Sequence, residues 1–336
     1  TELRSKTFQL FMTIQECIDT IAEQTQQTTY GESPRELYEP IEYLMSLGGK
    51  RLRPAFTLIS AYLFTDDWKA HVRPALAVEV FHNFTLMHDD IMDAAPLRRG
   101  KPTVHEKWNA NTAILSGDVM LVAAYELLTE VNDACFKQVI KRFNRTAAEV
   151  CEGQQLDMNF AFLETVSEDE YIEMIRLKTS VLVGFAMELG GLVAGASSEI
   201  IEKLYEIGVN IGLGFQLKDD VLDVYGDPEK FGKQVGGDII ENKKTWLMLR
   251  AQQLAKGTPE EEELAYWLTQ TALSKSAQKV EAVTQLYTRL GIKELALAKV
   301  ATYFDYAFQL IEQLPVDENR KKPLKDLATL LLQRES

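Results

Sequence analysis

Two acidic clusters in distant parts of the chain, Asp89-Asp90-Ile91-Met92-Asp93 and Asp219-Asp220-Val221-Leu222-Asp223, share the pattern Asp-Asp-x-x-Asp. On a helix the first and last Asp of each cluster stand at i and i+4, so their carboxylates leave one face while the middle Asp is turned away by about 100°. Phe81, Phe84, Leu86 and Met87 precede the first cluster, and Phe215 and Leu217 the second. That apolar setting reads as buried helix rather than solvated acidic surface. Carboxylates crowded in such a setting either take up protons or recruit cations. Two such faces opposed across a cavity would form a cage of hard oxygen ligands. Mg²⁺ suits it, because that ion binds through one or two carboxylates together with substrate phosphates and water.

Cations lie near both clusters. Gly48-Gly49-Lys50-Arg51-Leu52-Arg53-Pro54 sets several beside a flexible glycine pair, Arg98-Arg99-Gly100-Lys101 follows the first cluster, and Lys178, Lys233 and Lys243 stand near apolar or glycine-rich stretches. Arginine offers bidentate contacts to phosphate oxygens and lysine a compact point charge, so the set suits a diphosphate. Taken singly, each reads as a solvated surface charge. His82 alone would read as a hydrogen-bonded core histidine, but it lies two helical turns before Asp89 and therefore on the same face. Thr179 and Gln216 taken alone would satisfy local backbone.

In this order the motifs resemble the trans-prenyl diphosphate synthases, the family of farnesyl, geranylgeranyl and longer-chain polyprenyl diphosphate synthases. The resemblance runs through the glycine-cation segment at 48–54, residues 82–100, Glu152-Gly153-Gln154-Gln155-Leu156-Asp157, Lys178-Thr179, residues 214–223, Gly232-Lys233 and Asn242-Lys243. It implies a helical bundle of isoprenoid synthase type around a central active-site cavity, condensing isopentenyl diphosphate with an allylic diphosphate. By the same resemblance Asp89, Asp93 and Asp219 are direct Mg²⁺ ligands, and Asp90, Asp157, Asp220 and Asp223 are secondary or water-mediated ones. Arg98, Lys178, Lys233 and Lys243 hold the allylic diphosphate, with Thr179 and Gln216 turning oxygens toward a developing carbocation. Lys50, Arg53, His82 and Arg99 hold isopentenyl diphosphate, and Arg51 is a further cation with no assigned part. A homodimer is expected.

Product length turns on the helix of the first cluster. In the family the growing chain runs down an apolar tunnel whose floor is formed by bulky side chains of that helix. Phe84 and Thr85 stand at the fifth and fourth positions before Asp89. A single aromatic at the fifth position resembles one class of geranylgeranyl synthases, whereas farnesyl synthases of the animal type carry two aromatics there. Phe81 lies a turn lower, about 5 Å deeper. A twenty-carbon product is expected, with fifteen carbons next and a longer-chain synthase as the alternative. Plain core packing of both rings is compatible with either length. Lys50, Arg53 and the second Asp cluster argue against a class I terpene cyclase. The full set of Asp and Lys members argues against a noncatalytic subunit of a heteromeric synthase.

The elements that must position these residues read as helices. Phe8, Leu10, Phe11, Ile14, Ile18 and Ile21 follow helical spacing and predict an amphipathic helix over 7–24. Helices are likewise expected over 74–92, 111–130, 136–160, 168–192, 199–223 and 293–313, and period-two strand patterns are missing. The reading is an all-α bundle with short connections. Loops 96–101 and 225–242 follow the two clusters and could close over a phosphate, while 256–263 reads as a solvated connection. No Pro/Gly/Ser-rich linker divides the 336 residues, so one domain over 1–336 is expected.

Composition excludes some partners. With 36 Lys and Arg against 50 Asp and Glu, the net charge of -14 argues against nucleic acid or anionic lipid as a long-range partner. Cys17, Cys135 and Cys151 form no paired framework, so neither a disulfide scaffold nor a structural zinc site is expected. No signal-peptide pattern opens the sequence, and no apolar run reaches the ~18 residues of a membrane span. A soluble protein of the reducing cytoplasm is the expectation.

Overall fold

The computed structural model describes residues 11–227 and 235–334. In chain order its helices are α1 (Ile14–Gln27), α2 (Arg35–Ser46), α3 (Leu52–Tyr62), α4 (Val72–Met92), α5 (Val104–Lys107), α6 (Ala110–Leu128), α7 (Asp133–Phe160), α8 (Glu168–Ile175), α9 (Val181–Val193), α10 (Ser198–Tyr225), α11 (Gly237–Ile240), α12 (Trp246–Ala255), α13 (Pro259–Leu268), α14 (Ser276–Arg289), α15 (Ile292–Glu312) and α16 (Glu318–Gln333). Polar residues cap many of their first turns. Thr13, Asn109, Asn132 and Ser197 each accept a hydrogen bond from a backbone N–H of the helix that follows, and Ser167 with Glu170 completes a capping box at α8.

Helix α9 is the centre of the bundle, buried from Val181 to Leu192. It packs on α3 and α10, and α4 packs on α3, α6 and α9. The two Asp-bearing helices α4 and α10 therefore share α9 as a neighbour. Close approach depends on missing side chains: a Cβ on Gly190 would come within 2.2 Å of Thr57 O on α3. Apolar residues from α1 to α16 form one continuous core cluster among the described residues.

The helix expected over 7–24 is observed in part as α1: it begins only at Ile14, after the Thr13 cap, residues 11–13 are not helical, and residues 7–10 lie outside the described ones. The helix expected over 168–192 is two helices joined by a π-helical turn, Arg176–Ser180. The loop at 96–101 contains a short antiparallel pair, Leu97–Arg98 with Lys101–Pro102, because Arg99 and Gly100 both adopt left-handed conformations that a tight two-residue turn requires. The stretch 256–263 is not all connection. Pro259 opens α13 and Glu260, Glu261 and Glu262 occupy its first turn, where the helix dipole favours acidic residues. The expectation about membrane-length runs also needs correction: α6, 19 residues with mean hydropathy 1.2, is long and apolar enough to cross a membrane, and 39% of that stretch is buried. Its inner face packs on α4.

Candidate active site

Both Asp clusters close their helices. Asp93 is the C-cap of α4, and the second cluster lies in the last turns of α10. A helix C-terminus carries partial negative charge, which adds to the need for cations. On α4, Asp89 Oδ1 is buried without a hydrogen-bond partner, with Lys178 Nζ 3.6 Å away. The same ammonium lies 2.6 Å from Asp157 Oδ2 on α7. Burial and the charge of Asp89 hold Asp93 above its ordinary range, while Lys178 and Lys243 pull it back. An orphaned carboxylate oxygen in this neighbourhood fits a divalent cation. Asp90 faces elsewhere, gripped by Arg98 from the hairpin with Nε–Oδ2 2.8 Å and Nη2–Oδ1 2.6 Å.

In the second cluster Asp219 Oδ1 accepts from Arg334 Nη1 at 2.5 Å, and the guanidinium lies 5.2 Å from the Phe215 ring. Asp220 is buried, accepting from the Tyr171 hydroxyl on Oδ2 and from Gln216 Nε2 on Oδ1 at 3.2 Å. Burial, reinforced by Asp238, raises its carboxyl above the ordinary range, while the hydrogen bonds from Tyr171 and Gln216 and the Lys243 ammonium favour its ionised form. Asp223 ties down the segment after α10: its Oδ2 accepts from Asp238 N at 3.0 Å and its carbonyl from Gly236 N at 2.6 Å. Beyond α11, Lys243 Nζ lies 3.8 Å from Asp238 Oδ1. Burial alone would lower the Lys243 ammonium, but Asp238, Asp157 and Asp220 outweigh it and hold the group above its ordinary value. Lys279 of α14 braces this segment through Ile240 O, Asn242 Oδ1 and Gln270 O. Lys233 lies outside the described residues. Among the described residues no three acidic, imidazole or thiolate side chains converge on one point.

The π-helical turn brings Lys178 and Thr179 inward, in keeping with the frequent placement of such turns at functional sites. It lies so close to α7 that a Cβ on Gly153 would meet Lys178 N at 2.2 Å. Thr179 Oγ1 donates to Gln216 Oε1 at 3.3 Å.

A second group of cations surrounds the glycine pair. Arg99 donates to Gly48 O and packs so tightly on Gly49 that a Cβ there would meet its guanidinium at 2.9 Å. Gly48, Gly49 and Arg51 all have positive φ, so this turn needs its glycines. Arg53 Nη1 lies 3.1 Å from His82 Nε2. Arginine can only donate, so the neutral ring accepts on Nε2 and carries its proton on Nδ1. Burial, with Arg53, Arg99 and Arg98 nearby, drives His82 well below its ordinary range and keeps it neutral. Arg53 Nε is buried without a partner. Lys50 is lowered by burial and by Arg334, and raised by Asp219, which sets this group beside the second cluster.

Below the first cluster, Phe84 packs against His88 and Phe81 with ring centroids 4.8 and 5.5 Å apart. Phe81 is fully buried and meets Phe143 of α7 at 5.1 Å, which in turn meets Phe185 of α9 at 5.5 Å. Thr85 turns its hydroxyl back to His82 O.

Sequence reasoning missed Glu79, Tyr171 and Arg334. Glu79 left a signal, a lone carboxylate in the apolar run before His82. It is buried among charges of Arg53, Arg99 and Arg51, and burial raises it above the usual carboxylate range although those cations oppose the shift. Tyr171 gave only the apolar periodicity of α8. Nothing near Arg334 in the sequence points to Asp219.

Residues 34–290 match the polyprenyl synthetase family model. The geranylgeranyl diphosphate synthase of Saccharolobus solfataricus is 37% identical over 307 residues, covering 89% of this chain and 91% of that protein. The enzyme of the same name from Methanosarcina mazei is 44% identical over 220 residues, covering 65% of this chain and 68% of its own. A crystal structure of a geranylgeranyl pyrophosphate synthase superposes with a TM-score of 0.92 at 45% identity, covering 97% of this chain and 100% of that one. The chain belongs to the polyprenyl synthetase family, a generally metal-dependent group. It is a prenyltransferase, a short-chain trans-prenyl diphosphate synthase.

Proposed function

We propose that this chain makes geranylgeranyl diphosphate from isopentenyl diphosphate and an allylic diphosphate, with Mg²⁺ as its metal. The observation that carries the reading is the division of the site: the orphaned Asp89 oxygen beside Lys178 on one side, and Lys50, Arg53, His82 and Arg99 beside Asp219 on the other. Asp89, Asp93 and Asp219 hold the metal in this reading, with Asp157 and Asp223 beside them. When bound, the ion neutralises charge on the departing pyrophosphate. Lys178, Lys233, Lys243 and Arg98 orient the allylic diphosphate and favour breakage of its C–O bond. The second cation group aligns isopentenyl diphosphate so that its double bond meets the allylic cation, the new cation then losing a proton to the released pyrophosphate, and this alignment carries much of the rate. Thr179 and Gln216 present oxygens to that cation, and apolar walls keep out water that would trap it.

Phe84, backed by Phe81 and Phe143, supports a floor suited to twenty carbons, as do relatives named geranylgeranyl diphosphate synthases. The continuous core supports one catalytic domain over 1–336. Ile114, Leu115 and Val122, exposed on the outer face of α6, support a homodimer through that face. The unpaired cysteines are consistent with a cytoplasmic setting.

The test is product analysis by mass with Mg²⁺, isopentenyl diphosphate and each allylic primer in turn. Geranylgeranyl diphosphate should dominate and chelator should abolish it. A dominant product of another length would overturn the product assignment. Phe84→Ala should lengthen the product and Thr85→Phe should shorten it, at a cost of about 1 to 3 kcal/mol in stability from overpacking. An unchanged distribution in both folded variants would move the floor elsewhere.

A further inference from the structure

We infer that Tyr171 and Asp220 are positioning residues that fix the Gln216 side-chain amide with its oxygen, and not its NH₂ group, toward Thr179 and the reacting carbons. This rests on the prenyl-transfer reading above, and it gives Asp220 a part other than metal ligation.

Gln216 and Asp220 stand at i and i+4 on α10 and therefore share a face, rotated away from the one that Asp219 and Asp223 present. That face meets α8, where Tyr171 is buried. A carboxamide has nearly the same shape in its two flipped orientations but opposite polarity, accepting at one end and donating at the other. Next to a carbocation the difference decides catalysis, since the oxygen end stabilises positive charge and the NH₂ end repels it. Shape cannot select the orientation, so the partner on the far side must.

Asp220 makes that selection. Its carboxylate draws Gln216 Nε2 to 3.2 Å from Oδ1, which leaves Oε1 to accept from Thr179 Oγ1 at 3.3 Å. The flipped amide would set Oε1 against a buried carboxylate oxygen, a costly contact away from water, whereas the Thr179 hydroxyl could accept from Nε2 and would not resist the flip, so the selection rests on Asp220. Asp220 is itself held on its other oxygen by the Tyr171 hydroxyl. The hydrogen bonds thus run in a fixed sense from α8 through α10 to the π-helical turn. Thr179 spends its hydroxyl proton on Gln216, so its lone pairs also remain for the cation.

A double-mutant cycle tests this. Tyr171→Phe should lower kcat about tenfold and leave both KM values within about twofold, since the lost orientation matters only in the transition state. In a Gln216→Leu background the same change should do nothing further. Asp220→Asn, whose own NH₂ can donate to the amide oxygen and permit the flip, should behave like Tyr171→Phe and gives the cycle a second arm should the tyrosine variant fail to fold by circular dichroism. Calorimetric titration of Mg²⁺ into protein carrying a sulfur-bridged, non-ionising allylic diphosphate analogue supplies a readout apart from turnover. Asp220→Asn should keep its Mg²⁺ affinity within about twofold of the parent, whereas Asp219→Ala should lose it. Additive effects in the cycle, or loss of Mg²⁺ affinity in Asp220→Asn as large as in Asp219→Ala, would overturn the inference. Asp89→Ala serves as the control: if it retains turnover, the prenyl-transfer site has been misassigned, whereas an inactive Asp89→Ala with an additive cycle removes only the role given to Tyr171 and Asp220.

Discussion

Asp90 and Asp220 occupy the same middle position of Asp-Asp-x-x-Asp and are almost equally buried, at 2% and 5% exposure, yet Asp90 faces a guanidinium while Asp220 faces a phenol and an amide. The motif decides which face each carboxylate leaves. The neighbouring helix or hairpin decides the chemistry it meets there. Around the first cluster the partners are permanent charges, Arg98 on Asp90 and Lys178 between Asp89 and Asp157. In the second, Arg334 covers Asp219 while neutral donors hold Asp220. Two copies of one pattern can therefore turn their outer carboxylates the same way and differ in what their middle residues meet.

The widest effect should come from the positions where the clusters are taken to be alike. Asp89→Ala and Asp219→Ala should each lower kcat by about three orders of magnitude or more, read in steady-state turnover at saturating Mg²⁺. Near-normal turnover in either one would break the equivalence of the clusters.

Stability should separate the middle residues. Arg98→Ala strands a buried carboxylate and should cost about 3 kcal/mol in urea unfolding, the lower end for a broken buried pair because the arginine is partly exposed. Tyr171→Phe removes one donor and should cost about 1 to 2 kcal/mol. Equal losses would erase the distinction drawn here. A smaller contrast lies in the cations: Lys178→Ala should depress kcat as well as raise KM for the allylic substrate, whereas Lys50→Ala should raise chiefly the KM for isopentenyl diphosphate, each by about tenfold. A Lys50 variant impaired only toward the allylic substrate would reverse the two sites.

Much of the helical order was legible because helices are written locally. The spacing of Asp89 and Asp93, the apolar run before them and the starts expected at 136, 168 and 199, observed at 133, 168 and 198, all depend on neighbours within a few residues. The π-helical turn was not legible in any local pattern, and it lies where α7 approaches Lys178 closely at Gly153. The hairpin at 97–102 was missed because period-two patterning needs more than two residues per strand, and its signal was the turn pair Arg99-Gly100 instead.

What the sequence by itself determined is therefore the set of reactive groups and the helix faces that carry them: two pairs of i, i+4 carboxylates, His82 two turns above Asp89, and glycines where the chain must bend or touch. Tertiary structure alone decided which cation or donor answers each carboxylate. Arg334 reaches Asp219 across 115 residues, and Tyr171 reaches Asp220 across 49. Hydrogen bonds and ion pairs act over a few ångströms of space, and only the packing of α8, α10 and α16 brings residues so distant in the chain within that range.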